Sequence, residues 1–363
     1  MKQRVGIIFG GKSAEHQVSL QSARNILEAI DKTKFDVVLL GITKQGQWCS
    51  YHVDHFLENP TDPKRISLAH EEGELQLQPG HAQAITSNSV SHLAKLDVIF
   101  PIVHGTLGED GTLQGLLRTL NLPFVGSDVL GSAISMDKDV TKRLLRDAGL
   151  NVAPFITLTP SNVDTVNLDD VIQQLGLPLF VKPANQGSSV GVSKVETQAQ
   201  LLPAIQEALR FDRKILIEKA IIGREVECAV LGNEQPKASR CGEIELADQF
   251  YSYETKYINE QGAQVKVPAA IDDQTEALIQ RIALKAFQTV ECFGLARVDV
   301  FLTPDNEVII NEINTLPGFT NISMYPKLWQ ASGLAYQDLI TTLIELAIER
   351  HQQQTKIMSA FDH

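Results

Sequence analysis

The chain has 363 residues, 43% hydrophobic and 21% charged, with a net charge of −12 at pH 7. That length allows two or three domains with substantial cores, in an ordinary globular composition. The acidic balance argues against a broad nucleic-acid-binding surface, though not against a local basic pocket. No run of roughly 18 apolar residues occurs, so no membrane span is expected. The opening MKQRVGIIFGG is too short an apolar run for a secretory segment and reads as a first strand. Cys49, Cys228, Cys241 and Cys292 are scattered without a C-x-x-C pair, which suits buried thiols in a reducing cytoplasm.

Residues 1–125 alternate strand and helix patterns. Residues 4–9 form a strand, Gly10-Gly11 a tight turn, and Ser13 caps a helix from about 14 to 30. Strands follow at 34–42 and 97–103, and a helix at about 111–120. This predicts an open, mostly parallel α/β sheet, with ligands at the carboxyl ends of its strands. Two polar clusters fall there, GGKSAEH at 10–16 and HGTLGEDG at 104–111. GIIFGGKS formally matches the phosphate-loop pattern G-x-x-x-x-G-K-S. Its first residues are the strand itself, however, which leaves too little loop to wrap a phosphate. Glu15 falls in the first turn of its helix, where the dipole alone favours a carboxylate. His104 follows a strand, where a lone histidine is commonly structural. Residues 58–94 are polar and patternless and read as a surface excursion, with a hairpin around 74–78.

In residues 126–217, Met136-Asp137-Lys138 precedes an amphipathic helix closed by Gly149. Strands at 179–183 and 191–195 flank Ala184–Val190, ANQGSSV, a hairpin loop of small residues and hydroxyls. Its backbone N–H groups suit a triphosphate, although flexible surface hairpins share that composition. Lys182, on the strand feeding the loop, supplies a cation for the α- and β-phosphates. Residues 214–219 form another strand, and by spacing alone Glu218-Lys219 is its solvated end.

In residues 218–363, a strand with one polar face runs from 223 to 232, and a polar, tyrosine-rich stretch at 247–263 suits a lid. A helix at about 275–293 leads into a hairpin of strands 297–302 and 308–313, and a last helix runs from about 336 to 350. The hairpin folds Asp299 back towards Glu312 and Asn314, which share a face. Two carboxylates and an amide oxygen there form an oxygen set for a hard divalent cation. An ordinary hairpin with a polar face is the plainer alternative. Asn314–Gly318, NTLPG, is a loop whose glycine lets backbone N–H groups approach a ligand.

The stretch NEINTLPGFTNISMYP at 311–326 resembles the signature of the D-alanine–D-alanine ligase family of ATP-grasp enzymes. The other motifs follow in that family's order, from Val5 to about Arg350. The resemblance implies an α/β fold, α+β in its ATP-grasp part: an N-terminal open parallel α/β domain (1–125), a central ATP-grasp lobe (126–217) and a C-terminal lobe (218–363) with the lid. It implies ATP and two Mg²⁺ (or Mn²⁺), the latter on Asp299, Glu312 and Asn314, and two D-alanine molecules as substrates. Glu15 then holds the first ammonium, with His104 beside it. Lys138 and Lys182 meet the nucleotide phosphates, Ser188 and Ser189 belong to the phosphate loop, Glu218 and Lys219 lie around the adenine, and Glu225 meets the ribose. Lys256 approaches the transferring phosphoryl group, while Tyr257 meets Glu15 and Ser188 and favours an amine as second substrate. Arg297 and the Gly318 N–H stabilise an oxyanion, and Ser323 and the Met324 N–H hold the second carboxylate. A cytoplasmic homodimer without nucleic-acid or membrane partners is expected. Another ATP-grasp ligase would keep Lys182, Asp299 and Glu312 but need no Glu15, His104 or Tyr257. A binding protein would take up ligand without ATP turnover.

Overall fold

The computed structural model describes residues 2–80, 85–87, 95–246, 263–320 and 322–357. Three sheets follow one another along the chain. The first is built from β1 (Gln3–Gly10), β2 (Phe35–Ile42), β3 (Trp48–Tyr51), β6 (Gly73–Leu77), β7 (Ile85–Ser87) and β8 (Val98–Ile102) in the order β7-β6-β3-β2-β1-β8. A separate ribbon of β4 (Leu57–Glu58) and β5 (Ser67–Leu68) lies beside it. Only β2, β1 and β8 pair in parallel; β3, β6 and β7 extend the sheet antiparallel. The 58–94 excursion is thus partly sheet: Leu75 and Leu77 pack against the core, while Glu74 and Gln76 are exposed. That alternation, period two over five residues, is too brief to stand out beside its polar neighbours.

Helix α1 (His16–Ala29) crosses from β1 to β2 and buries Val18, Leu20, Ala23, Ile26 and Leu27. Its N-cap is Glu15, not Ser13. Ser13 Oγ instead accepts from the Glu15 N–H at 3.2 Å and donates to the His104 carbonyl at 2.8 Å, so it joins two loops. α2 (Thr112–Thr119) and α3 (Val129–Met136) lead to α4 (Lys138–Asp147), where Asp137 accepts from the N–H groups of Asp139 and Val140 as expected of a capping carboxylate.

The second sheet is antiparallel, in the order β11 (Ser193–Val195), β10 (Leu179–Pro183), β12 (Ile215–Lys219), β9 (Phe155–Leu158), with α5 (Leu168–Leu175) and α6 (Gln198–Ala208) beside it. The third runs β15 (Ala263–Lys266), β14 (Lys237–Leu246), β13 (Arg224–Gly232), β16 (Gly294–Leu302), β17 (Val308–Asn314), also antiparallel. It packs on α7 (Asp273–Thr289), α8 (Met324–Ala331) and α9 (Tyr336–Gln354). Among the described residues no helix is long and apolar enough to cross a membrane.

A single apolar cluster ties the first sheet to the third: Ile7 and Phe100 share it with Phe319, Tyr325, Leu339 and Leu343. Each such buried side chain contributes about 1.5–3 kcal/mol, so the first and third sheets are held as one body around Leu316 and Phe319. Arg350 of α9 adds a polar clamp, donating to the carbonyls of Phe124 and Gly126.

Candidate active site

The polar face of β16 is where the hairpin reading was strongest, and the register bears it out. Arg297 stands opposite Asn314, and Asp299 opposite Glu312. A bulge follows at once: Val300 pairs with Ile310, leaving Asn311 as the extra residue. Such a bulge bends the strand locally and re-aims its side chains. The Arg297 guanidinium forks onto Asp299, with Nε to Oδ1 and Nη2 to Oδ2 both at 2.7 Å, and Nε lies 2.9 Å from Glu227 Oε2. Asn314 Nδ2 donates to Asp299 Oδ2 at 2.9 Å. Burial disfavours the guanidinium charge, but Asp299 and Glu227 outweigh it and hold Arg297 protonated far above neutral pH.

Glu227 had no sequence-based role. It stands opposite Asp299 across β13–β16, so Glu227, Asp299 and Glu312 form one row over three strands. The signal was the polar face of the 223–232 strand, where Glu225 and Glu227 alternate with apolar residues. Glu225, Glu227, Arg297, Asp299, Asn311 and Glu312 line one cleft. Among the described residues no three His, Cys, Asp or Glu side chains make a ready metal cage. Asp299, Glu312 and Asn314 are a partial set of hard oxygen donors, which fits Mg²⁺: that ion usually keeps waters and substrate phosphates as its other ligands.

The second cluster is a junction of loops. Ser188 Oγ donates to Glu15 Oε1 at 2.5 Å across 173 residues of sequence. Gly105 has φ +74°, a left-handed backbone that favours glycine, and a Cβ there would sit 2.7 Å from Glu15 Oε2 and crowd the carboxylate. His104 is buried; its Nδ1 lies 3.0 Å from the Leu316 carbonyl and its Nε2 3.2 Å from Ser22 Oγ. A carbonyl only accepts, so Nδ1 carries a proton. Burial opposes a second proton, yet Glu109 beside the ring, with Glu15 behind it, raises the imidazole pKa on balance. Glu109 lay within the HGTLGEDG run without a role; its Oε2 accepts from the Gly105 N–H at 2.9 Å and braces that loop.

Ser188 and Ser189 both have positive φ, +52° and +59°, an uncommon backbone for serine that marks a loop held in shape. Lys138 Nζ donates to the Gln186 carbonyl at 2.7 Å and its N–H to the Ala184 carbonyl, so the start of α4 braces the same loop. Lys182 points elsewhere along the sheet, at 2.7 Å from Glu218 Oε2. Glu218 is therefore no solvated strand end: it is buried, whereas Lys219 is exposed. Burial alone would raise the Glu218 pKa, but Lys142 and Lys182 lower it below the usual carboxylate range. Lys142 belongs to none of the sequence motifs, although its place four residues after Lys138 puts both on one face of α4.

Beyond Asn314, a Cβ on Gly318 would sit 2.8 Å from Ser323 Oγ, so glycine keeps this turn open to its neighbour. Ser323 Oγ accepts from the Thr320 N–H at 2.9 Å and stands at the N-cap of α8, with Met324 the first helical residue. Lys256 and Tyr257 lie outside the described residues.

Comparison with known proteins covers nearly the whole chain. A family model described as "D-ala D-ala ligase N-terminus" matches residues 4–127, and "D-ala D-ala ligase C-terminus" matches residues 144–345. The chain is 65% identical over 352 residues to D-alanine--D-alanine ligase A of Escherichia coli K12, covering 96% of this chain and 97% of the relative. Among solved structures, the D-alanine-D-alanine ligase from Coxiella burnetii is 40% identical with a TM-score of 0.84, covering 98% of this chain and 96% of that one. The VanG D-Ala:D-Ser ligase from Enterococcus faecalis is 36% identical with a TM-score of 0.85, covering 96% of this chain and 100% of that one.

Proposed function

This chain belongs to the D-alanine–D-alanine ligase family, and we propose that it joins two D-alanine molecules at the cleft formed by the loop junction and the β16–β17 hairpin, with ATP as the energy source, for peptidoglycan precursors. A carboxylate and an amine do not condense in neutral water without activation. ATP supplies it by phosphorylating the carboxylate of the first D-alanine; the amine of the second attacks that acyl phosphate, and phosphate leaves.

Glu15 binds the first ammonium, its charge oriented by Ser188 and shielded by the Gly105 turn. Lys138 holds the phosphate loop in place, and Lys182 offers its cation to the nucleotide phosphates. Ser189 lies in that loop, and Glu225 at the cleft rim suits a ribose. Asp299, Glu312 and Asn314 hold Mg²⁺, which when bound offsets the charge of the β- and γ-phosphates. Arg297, fixed between Asp299 and Glu227, and the Gly318 N–H stabilise the oxyanion of the tetrahedral intermediate; one such donor is worth about 3 kcal/mol. Ser323 and the Met324 N–H take the second carboxylate. By resemblance to the family, Lys256 would act on the transferring phosphoryl group and Tyr257 beside Glu15 and Ser188. The work is positioning and charge stabilisation, with no side-chain nucleophile. We read the enzyme as a cytoplasmic homodimer, a state that light scattering on the purified protein tests.

The observation that carries this reading is the 2.5 Å bond from Ser188 to Glu15, which closes the nucleotide loop onto the substrate loop. The test is Mg²⁺-dependent ADP formation with D-alanine, D-serine, D-lactate or L-alanine, with products weighed by mass. D-alanyl-D-alanine from D-alanine, and nothing from L-alanine, is the expected result. ADP formation stimulated by neither alanine would discard the substrate and leave another ATP-grasp ligase. Preferential D-alanyl-D-serine formation from a D-alanine and D-serine mixture would instead move the assignment to the second substrate of the VanG type.

A further inference from the structure

Lys142 is one of the largest fully buried side chains in the molecule and has no part in the chemistry described so far. Its Nζ lies 3.1 Å from Glu218 Oε1, and Lys182 Nζ lies 2.7 Å from Glu218 Oε2. One carboxylate on β12 thus receives a lysine from α4 on one oxygen and a lysine from β10 on the other. The charged groups that act on Lys142 are Glu218, Lys182 and Lys138, so the group carries two or three cations for one anion. The ring of Phe155 lies 6.0 Å from the Lys142 ammonium.

Surplus positive charge in a low-dielectric site is unfavourable unless something is gained when an anion arrives. A simple 1:1 pair of Glu218 and Lys182 would be neutral, and Lys182 would be spent on it. A second lysine on Glu218 changes that balance, since the carboxylate is then shared and Lys182 keeps net positive character.

We propose that Lys142 is a positioning residue for nucleotide binding: by occupying Glu218 from the buried side, it leaves Lys182 free in charge to receive the ATP phosphates. This rests on the reading of Lys182 as a phosphate ligand. Lys142 itself never touches the nucleotide. Its effect passes through Glu218, so removing the carboxylate as well should undo its loss.

The experiment measures ATP, ADP and adenosine binding by calorimetry on the full chain, without turnover, for wild type, Lys142→Met, Lys142→Gln, Lys142→Arg and the double variant Lys142→Met/Glu218→Gln. Wild type should bind ATP; if it does not, the ATP-ligase reading fails before this inference is reached. Lys142→Met should weaken ATP and ADP about tenfold and leave adenosine within about twofold, because only the phosphates sense Lys182. Lys142→Arg should retain most of the affinity, and the double variant should recover a ratio of ATP to adenosine affinity within about threefold of wild type, a ratio that cancels any loss of an adenine contact at Glu218. Lys142→Gln serves in the same role if the methionine variant does not fold. Wild-type ATP affinity in Lys142→Met, equal losses for adenosine, or a double variant with the same ATP-to-adenosine ratio as the single one would each overturn the proposal and make Lys142 a packing residue.

Discussion

In the β16–β17 hairpin, the strand ladder itself sets Arg297 opposite Asn314 and Asp299 opposite Glu312. At the loop junction, Glu15, Gly105 and Ser188 come from three separate connections and meet through side-chain contacts such as the Ser188–Glu15 bond spanning 173 residues, with Glu109 and Lys138 bracing the loops. Removing a side chain from the hairpin takes away its chemistry but leaves its neighbours placed by backbone pairing. Removing one from the junction also loosens the others, because no ladder stands behind them. The first region should therefore respond to mutation mainly in kcat, and the second mainly in substrate KM.

Arg297→Ala is the largest expected effect. Loss of an oxyanion donor typically costs 10²–10³ in kcat, and we expect a fall of about that size with the KM for D-alanine changed less than about fivefold. Circular dichroism should show a folded protein, since the ladder is untouched. An unchanged kcat with a raised D-alanine KM would erase the distinction between the two regions.

Glu15→Gln comes next. It keeps the shape of the side chain and removes the charge that pairs with an ammonium, a charge-assisted interaction worth about 1.5–3 kcal/mol. The D-alanine KM should rise about 10- to 100-fold, and the ATP KM should stay within about twofold. Ser188→Ala should act in the same direction with about a tenfold rise, as suits one hydrogen bond to a charged group. Because Ser188 acts by orienting a charge that Glu15→Gln has already removed, the double variant should cost little more than Glu15→Gln alone. Fully additive losses would show that the two residues serve separate ends.

The same contrast explains what the sequence could disclose. Alternation along 297–302 and a turn at Pro304 are local signals, so the hairpin and the convergence of Asp299 on Glu312 were legible from residue order. The bulge at Asn311 was not, since it depends on pairing across strands. The Glu15–Ser188 contact is a product of tertiary packing, and only family resemblance pointed to it. Glu218 shows the limit most sharply. A charged residue near a strand end reads as solvated, and only the arrival of Lys142 from α4 and Lys182 from β10 makes its burial affordable in free energy. In 58–94, the five-residue strand 73–77 with its exposed face and the three-residue strand 85–87 lack the length to stand out from polar connections.

The smallest effect concerns the buried lysine and is read in stability. Burial, with Lys182 and Lys138 adding to it against the pull of Glu218, lowers the Lys142 pKa from 10.5 to about 8. In the unfolded chain the lysine titrates near its ordinary value. Between about pH 8 and 10.5 the unfolded state therefore binds more protons than the folded one, and unfolding free energy rises with pH through that window on account of this group. Below pH 8 both states are protonated and the burial penalty is fully present. The slope is at most about 1.4 kcal/mol per pH unit. Other groups titrate in the same range, so the informative quantity is wild type minus Lys142→Met, from urea melts at pH 7.5, 8.5 and 9.5. The variant should be relatively most stable at pH 7.5, with wild type gaining on it by about 1 kcal/mol per unit above pH 8. A difference that does not change with pH would mean that Lys142 keeps its ordinary pKa in the fold, and that Glu218 compensates its burial in full.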